Sequence, residues 1–273
     1  MSGEKEMSFL DHLEELRKRL IWIVLSIAVG GTLMFVFQSE VEAVLSGPRN
    51  SDFVTYKLLC KVSQATGLDD SLCFTDVDFE LQGTTMLANF TAHFMVSIIG
   101  GIIIAFPFIF YQLWLFIKPG LKKNEVSAVN GISVGTSLLF FSGVCFGYFV
   151  LAPLSVRFLG TYEFAGAVMR PNVMSYIKLV ASLSLATGII FQLPVVIYFL
   201  AKIGIVTPEG LRKYRKHTLV AVLILAAVIT PPDVFSQVLV AFPVLILYEF
   251  SIRIAARVQK LEVSSETSVH SNR

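Results

Sequence analysis

Four long stretches of this sequence contain no charged residue, and they constrain the fold more than any other feature. They cover residues 20–37, 94–117, 126–151 and 179–201. A helix needs roughly 20 apolar residues to cross a hydrocarbon layer about 30 Å thick. Charged residues make up 15% of the chain, well below the roughly 25% of an ordinary soluble domain. The chain is therefore predicted to be an all-α membrane protein.

Two shorter apolar runs follow, at residues 218–230 and 234–248. Runs of this length cross a bilayer only where it is thinned, or they form a re-entrant hairpin. Spanning is the simpler arrangement, so we predict a polytopic protein with six transmembrane helices, the last two short. The predicted spans lie at about 20–38, 93–117, 126–151, 177–201, 217–231 and 234–250.

The distribution of Lys and Arg predicts the orientation. Sixteen of these residues fall in the two ends and in alternate connections, which we assign to the cytoplasm, whereas five fall in the connections between them. Positive charge is retained on the cytoplasmic side of a membrane. Both termini are therefore expected on the cytoplasmic side. The five cations on the other side are Arg49, Lys57, Lys61, Arg157 and Arg170.

We predict one membrane domain, residues 1–261, followed by a short tail. An amphipathic helix is predicted at 8–19, and the connection at 39–90, here named the outer loop, is long enough to have structure of its own. Residues 262–273 are rich in Ser, Glu and Thr and are predicted to be a disordered cytoplasmic tail.

Cysteine and histidine usage gives no sign of a metal or a cofactor. The three cysteines match neither a zinc spacing nor a C-x-x-C pattern, and the four histidines do not cluster. Cys60 and Cys73 both fall in the outer loop. In an oxidising compartment they form a disulfide; the alternative, a pair of free thiols, remains equally open. No catalytic group is predicted, so an enzyme is disfavoured.

Several polar residues have both a structural and a functional interpretation. The amphipathic helix at 8–19 is either a solvated face held by Glu–Lys and Glu–Arg pairs or a binding strip along the membrane surface. Glu125 either pairs with neighbouring lysines or interacts with the start of the helix at Val126, where a carboxylate is favourable. Gln192, in mid-span, makes either an interhelical hydrogen bond or a functional contact. Asp233 caps the sixth helix or relays protons, and capping is favoured.

Five segments closely resemble one family, TatC, the multi-spanning subunit of the twin-arginine (Sec-independent) protein translocase. They occur in family order over nearly the whole chain. These segments are F-L-D-H-L-E-E-L-R-K-R-L at 9–20, F-Y-Q-L-W-L-F-I-K-P-G-L-K-K-N-E at 110–125, G-Y-F-V at 147–150, T-P-E-G-L-R-K-Y-R at 207–215 and T-P-P-D-V-F-S-Q at 230–237.

The resemblance implies a receptor that binds twin-arginine signal peptides at its cytoplasmic face and exports folded proteins with the proton-motive force. The signal peptide would be bound by Glu15, Arg17, Phe116 and Glu125. A carboxylate accepts two parallel hydrogen bonds from a guanidinium, which a lysine cannot match. Single-span subunits of the TatA and TatB type would dock at Gln192, Thr230 and Gln237. Pro48 and Asp233 match structural positions of the family.

One position departs from the family pattern. Many members have a glutamate in the fourth span where this chain has Gln192. An amide cannot release a proton, so a titrating role is in doubt there while a hydrogen-bonding role survives. The resemblance also implies a homo-oligomeric receptor complex without nucleic acid. The alternative function, a small-solute secondary transporter, would require opposed ionisable groups within the spans, and the sequence has none.

Overall fold

The computed structural model describes residues 9–67, 73, 80–117, 129–162, 170–230 and 234–271. Glu125 and Asp233 lie outside these residues. Eleven α-helices account for most of the described chain: α1 Phe9–Val36, α2 Gln38–Ser46, α3 Val54–Thr66, α4 Ala88–Ile117, α5 Val129–Phe146, α6 Ala152–Thr161, α7 Val173–Ile190, α8 Leu193–Lys202, α9 Pro208–Lys213, α10 Arg215–Ile229 and α11 Val234–Ser271.

Among the described residues, five helical stretches are long and apolar enough to cross a membrane. The predicted all-α membrane fold is thereby confirmed. The stretches are His12–Val36, Ala88–Phe116, Ser133–Thr161, Val173–Lys202 and Ser236–Lys260. The remaining predicted span, 217–231, coincides with α10, which has 15 residues and a length of about 22 Å. The count of six spans therefore stays a prediction.

The last helix differs from the prediction. It was expected to be short, but its apolar part covers Ser236–Lys260, 25 residues, and α11 continues to Ser271. The predicted span ended at residue 250, because the uncharged run stops at Glu249 and a charge usually marks a membrane boundary. Helical backbone continues through such residues without cost, and it also continues into the segment that we expected to be disordered.

Two other boundaries follow from local chemistry. Helix α1 runs without interruption from the predicted amphipathic segment into the first span. The fourth span is divided at Phe191 and Gln192, directly before Pro194. Proline lacks the N–H that would continue the helix, which explains the break. Asn172 starts α7 by accepting a hydrogen bond from the Met174 N–H at 2.8 Å.

The chain separates into two compact units, Met1–Val44 with Thr85–Leu138 and Leu45–Thr84 with Leu139–Arg273. In the first unit α1 packs against α4 through glycines. A Cβ atom added at Gly101 would lie 2.5 Å from the backbone nitrogen of Gly31, and one added at Gly30 would lie 2.9 Å from the Gly101 carbonyl oxygen. Only glycine allows two helices to approach this closely, as in many membrane helix pairs.

The second unit has the same kind of contact. A five-residue π-helical turn, Gly147–Leu151, joins α5 to α6. Gly143 and Gly147 face α7, where a Cβ atom at Gly143 would lie 2.7 Å from the Thr187 carbonyl oxygen and one at Gly147 would overlap the Thr187 hydroxyl. A further buried cluster joins the π turn to α10 and α11, with Leu151, Val222, Ala226, Val240, Ala241 and Val244 at its centre.

Candidate functional site on helices α1 and α4

The predicted signal-peptide residues come from two distant stretches of sequence, and the start of α1, which contains Glu15 and Arg17, meets the end of α4, which contains Phe116. Glu15 and Arg17 lie in the second and third turns of α1, and Phe116 lies at the last turn of α4. The His12 ring stacks on the Phe116 ring with 4.5 Å between centroids and 21° between planes. This contact joins the start of α1 to the end of α4.

A polar network continues along the same pair of helices. Arg19 donates to the Gln112 side-chain oxygen at 3.2 Å and to the Glu15 carboxylate, also at 3.2 Å. The Glu15 side chain keeps 20% of its surface accessible, and the Arg19 side chain keeps 24%. Glu15 is therefore held in place by a cation of its own helix, and a second guanidinium can still reach its carboxylate.

Sequence reasoning predicted the Glu15–Arg19 pair, which the structure confirms, but it missed two members of this network, His12 and Gln112. His12 and Arg19 belong to the quoted motif at 9–20, but nothing in that motif shows which residues of α4 they meet. Gln112 carried a signal, since an amide inside the apolar run at 94–117 has to find a partner. Its side chain is buried, with 6% of the residue exposed.

The predicted partner-docking residues lie in the second unit. Thr230 is buried, and its hydroxyl donates to the Ala226 carbonyl oxygen at 2.9 Å. The Gln237 side-chain amide donates to the Leu223 carbonyl oxygen, also at 2.9 Å, and so connects α11 to α10. Gln192 is partly buried at the break between α7 and α8. Its neighbour Leu193 packs against the cluster centred on Leu151.

Pro48 belongs to a buried corner of the outer loop. It lies in a short 3₁₀ helix, Gly47–Arg49, and its carbonyl oxygen accepts from the Tyr56 hydroxyl at 2.9 Å. The same hydroxyl reaches the Pro153 carbonyl oxygen at 2.7 Å. Burial raises the pKa of Tyr56 well above its ordinary value. Cys60, in α3, is joined to Cys73 by a disulfide, with 4.3 Å between their Cα atoms.

Comparison with known proteins agrees with this architecture. The family profile described as Sec-independent protein translocase protein (TatC) matches residues 11–243. The chain belongs to the TatC family. The TatC protein of Blattabacterium sp. subsp. Periplaneta americana (strain BPLAN) is 38% identical over 264 residues, which cover 95% of this chain and 99% of that protein. The TatC protein of Carboxydothermus hydrogenoformans is 36% identical over 266 residues, with 96% and 98% covered.

A solved structure supports the TatC assignment independently. The crystal structure of a twin-arginine translocase receptor TatC superposes on 91% of this chain and 99% of its own, with a TM-score of 0.69 and 34% identity. Membership places this TatC-family protein among protein translocase components rather than enzymes. The motifs at 9–20 and 110–125 thus belong to a transport receptor fold, and the secondary-transporter alternative loses its basis.

Proposed function

We propose that this protein is the receptor subunit of a Sec-independent translocase and binds twin-arginine signal peptides at the joined ends of α1 and α4. One observation carries the proposal: the His12–Phe116 stack and the Arg19 bridge bring the two motif stretches onto one surface. A folded precursor would be held by its signal peptide there and then exported with the energy of the proton-motive force.

The chemistry of Glu15 suits an arginine ligand. Its carboxylate already accepts from one guanidinium, that of Arg19, and remains partly exposed. A signal-peptide arginine would replace or share this contact through two parallel hydrogen bonds, and Glu125 would receive the second arginine. Lysine offers a point charge without that planar geometry. Arg17 is exposed on α1, about half a helical turn from Glu15, and would contact the peptide from that side.

The rest of the assembly is proposed on the same basis. Both termini would lie in the cytoplasm of a bacterium, and the protein would reside in the inner membrane. Single-span subunits of the TatA and TatB type would dock near Gln192, Thr230 and Gln237, and several copies of the chain would form the receptor complex. Since Gln192 has no proton to release, contact with a partner helix would rest on hydrogen bonding and packing.

The test is binding of a twin-arginine signal peptide to the purified full chain in nanodiscs, beside a twin-lysine peptide. We expect the arginine peptide to bind at least tenfold more tightly, and Glu15→Gln to remove most of that preference, since a charge-assisted hydrogen bond contributes about 1.5–3 kcal/mol. Glu14→Gln is the matched control, because Glu14 is an exposed neighbour on the same helix. Equal binding of both peptides would refute the receptor assignment.

A further inference from the structure

Helix α3 in the outer loop has two faces of different character. Tyr56 and Ser63 lie on one face and are buried, with 1% and 0% of their surfaces exposed. Val54, Leu58 and Val62 lie on the other, and they are 65%, 60% and 46% exposed. A spacing of four residues places these three side chains along one stripe of the helix. These three side chains are therefore exposed on the side of α3 that is turned away from Tyr56 and Ser63.

Two lysines border this stripe. Lys57 and Lys61 are exposed and stand one turn apart, directly beside Leu58 and Val62 in sequence. The Lys57 ammonium lies 3.0 Å from the Asp52 carboxylate, with 60% of the lysine side chain still accessible. Long lysine stems cover apolar surface while their charges reach into a polar layer. An apolar stripe edged by cations is the pattern of a helix that lies in a membrane interface.

The anchoring of α3 places it at the level of that interface. The Thr55 hydroxyl donates to the Phe149 carbonyl oxygen, and the Tyr56 hydroxyl to the Pro153 carbonyl oxygen. Both acceptors belong to the candidate span Ser133–Thr161. Pro153 lies four residues, or about 6 Å, before Arg157, the first charged residue after the apolar run. The headgroup layer adds only about 5–8 Å beyond the hydrocarbon on each side, so the first turn of α3 is held close to the hydrocarbon boundary.

An exposed aromatic residue of the span lies next to the start of α3. Phe149 is 42% exposed within the candidate span, and the Phe53 ring, which directly precedes α3, stacks on it with 5.8 Å between centroids. An exposed, apolar part of the span therefore lies beside the first turn of α3.

We propose that α3 is an interfacial helix that inserts Val54, Leu58 and Val62 into the bilayer leaflet on the side of the outer loop. Lys57 and Lys61 lie at the level of the lipid phosphates. The bilayer, rather than a second copy of the chain or a partner subunit, covers the stripe. This role does not depend on signal-peptide binding and would hold the outer loop at a fixed depth.

Tryptophan quenching in the full-length protein tests the proposal. Leu58→Trp and Gln64→Trp are compared in vesicles of mixed phosphatidylcholine and phosphatidylglycerol; Gln64 is exposed on the polar side of the same helix. The signal measured is the fluorescence that the introduced tryptophan adds to that of the two native tryptophans. For Leu58→Trp we expect a blue-shifted spectrum, loss of most added emission to lipid brominated near the headgroup, and little loss to aqueous acrylamide. Gln64→Trp should show the reverse.

Two results would overturn the proposal. Acrylamide quenching of Leu58→Trp as strong as that of Gln64→Trp would place the stripe in water. Protection of Leu58→Trp from both acrylamide and brominated lipid would show that protein covers it. The role of the lysines is tested separately. Bromolipid quenching of Leu58→Trp should rise with the phosphatidylglycerol fraction. The double change Lys57→Gln and Lys61→Gln should remove that rise. A rise that survives both changes would refute the headgroup contact.

Discussion

The guanidinium of Arg19 donates to the side-chain oxygen of Gln112 at 3.2 Å, across the contact between α1 and α4. Because the same guanidinium also holds Glu15, the carboxylate that we assign to the signal peptide is already paired in the free receptor. An incoming arginine would therefore compete with a side chain of the same helix. Affinity for the peptide would depend on how easily Arg19 gives up this contact.

Replacing Arg19 should strengthen peptide binding. A partly exposed ion pair contributes about 0–1 kcal/mol, so Arg19→Gln should increase affinity for the twin-arginine peptide by up to about fivefold. Titration of a labelled peptide measures the change, and Lys18→Gln, an exposed cation of the same helix, corrects for general charge. A tenfold loss of affinity would instead show that Arg19 positions Glu15 for its ligand.

The close approach of α1 and α4 predicts a large effect of a single methyl group. Gly101→Ala would place a Cβ atom 2.5 Å from the Gly31 nitrogen, so the helices must separate. Overpacking of this kind costs about 1–3 kcal/mol, which thermal unfolding in detergent should detect. Gly135→Ala is the control, since a Cβ atom there meets nothing within 4 Å. Equal melting temperatures of the two variants would contradict the packing shown for this pair.

The Tyr56 hydroxyl should stabilise the corner that contains Pro48. Tyr56→Phe leaves the Pro48 and Pro153 carbonyl oxygens without this donor, at a cost of about 1–3 kcal/mol. Hydrogen exchange of the 3₁₀ helix Gly47–Arg49 should accelerate correspondingly. Tyr162→Phe provides the comparison, because Tyr162 is exposed. Unchanged exchange in Tyr56→Phe would mean that the corner is held by other contacts.

Tyr56 also predicts that the stability of the fold decreases at alkaline pH. Burial raises the pKa of Tyr56 in the folded protein above the value of about 10 for an unfolded tyrosine. The folded state then binds the proton more tightly, so this stabilisation is complete below pH ~10 and is lost as the pH rises further. Unfolding followed between neutral and strongly alkaline pH should show a fall that is smaller in Tyr56→Phe. A fall of the same size in both proteins would assign it to other groups.

Gln237 joins α10 to α11, and its structural role can be tested separately from its proposed role in partner docking. Gln237→Met keeps the length of the side chain but removes the donor to the Leu223 carbonyl oxygen. We expect a stability loss of about 1 kcal/mol for a typical hydrogen bond and weaker cross-linking of a single-span partner at this position. A matched change, Val238→Met, alters an exposed neighbour. Normal cross-linking with reduced stability would limit Gln237 to a structural role.

The sequence predicted the helices better than their contacts. Long uncharged runs identify membrane helices because the bilayer permits little else, and the break at Gln192 follows from Pro194. The predicted end of the last span, residue 250, falls inside α11, because Glu249, Arg253 and Arg257 change solvation without interrupting the backbone. Within the site, the motifs supplied Glu15 and Phe116, but the pairing of His12 with Phe116 depends on how α1 packs on α4. One sequence carries no direct signal for such long-range pairs.

The disulfide between Cys60 and Cys73 predicts that the outer loop depends on the redox state of its surroundings. The bridge connects α3 to a residue 13 positions further along the chain. A loop of this size is stabilised by about 3 kcal/mol when closed, largely by restricting the unfolded chain. Cys60→Ser should therefore make α3 sensitive to proteolysis under conditions in which the native protein resists it, and reductant should have the same effect on the native protein.

Cys145→Ser removes the free, exposed cysteine and should leave proteolysis unchanged. Resistance of Cys60→Ser equal to that of the native protein would mean that Thr55 and Tyr56 alone hold the helix in place.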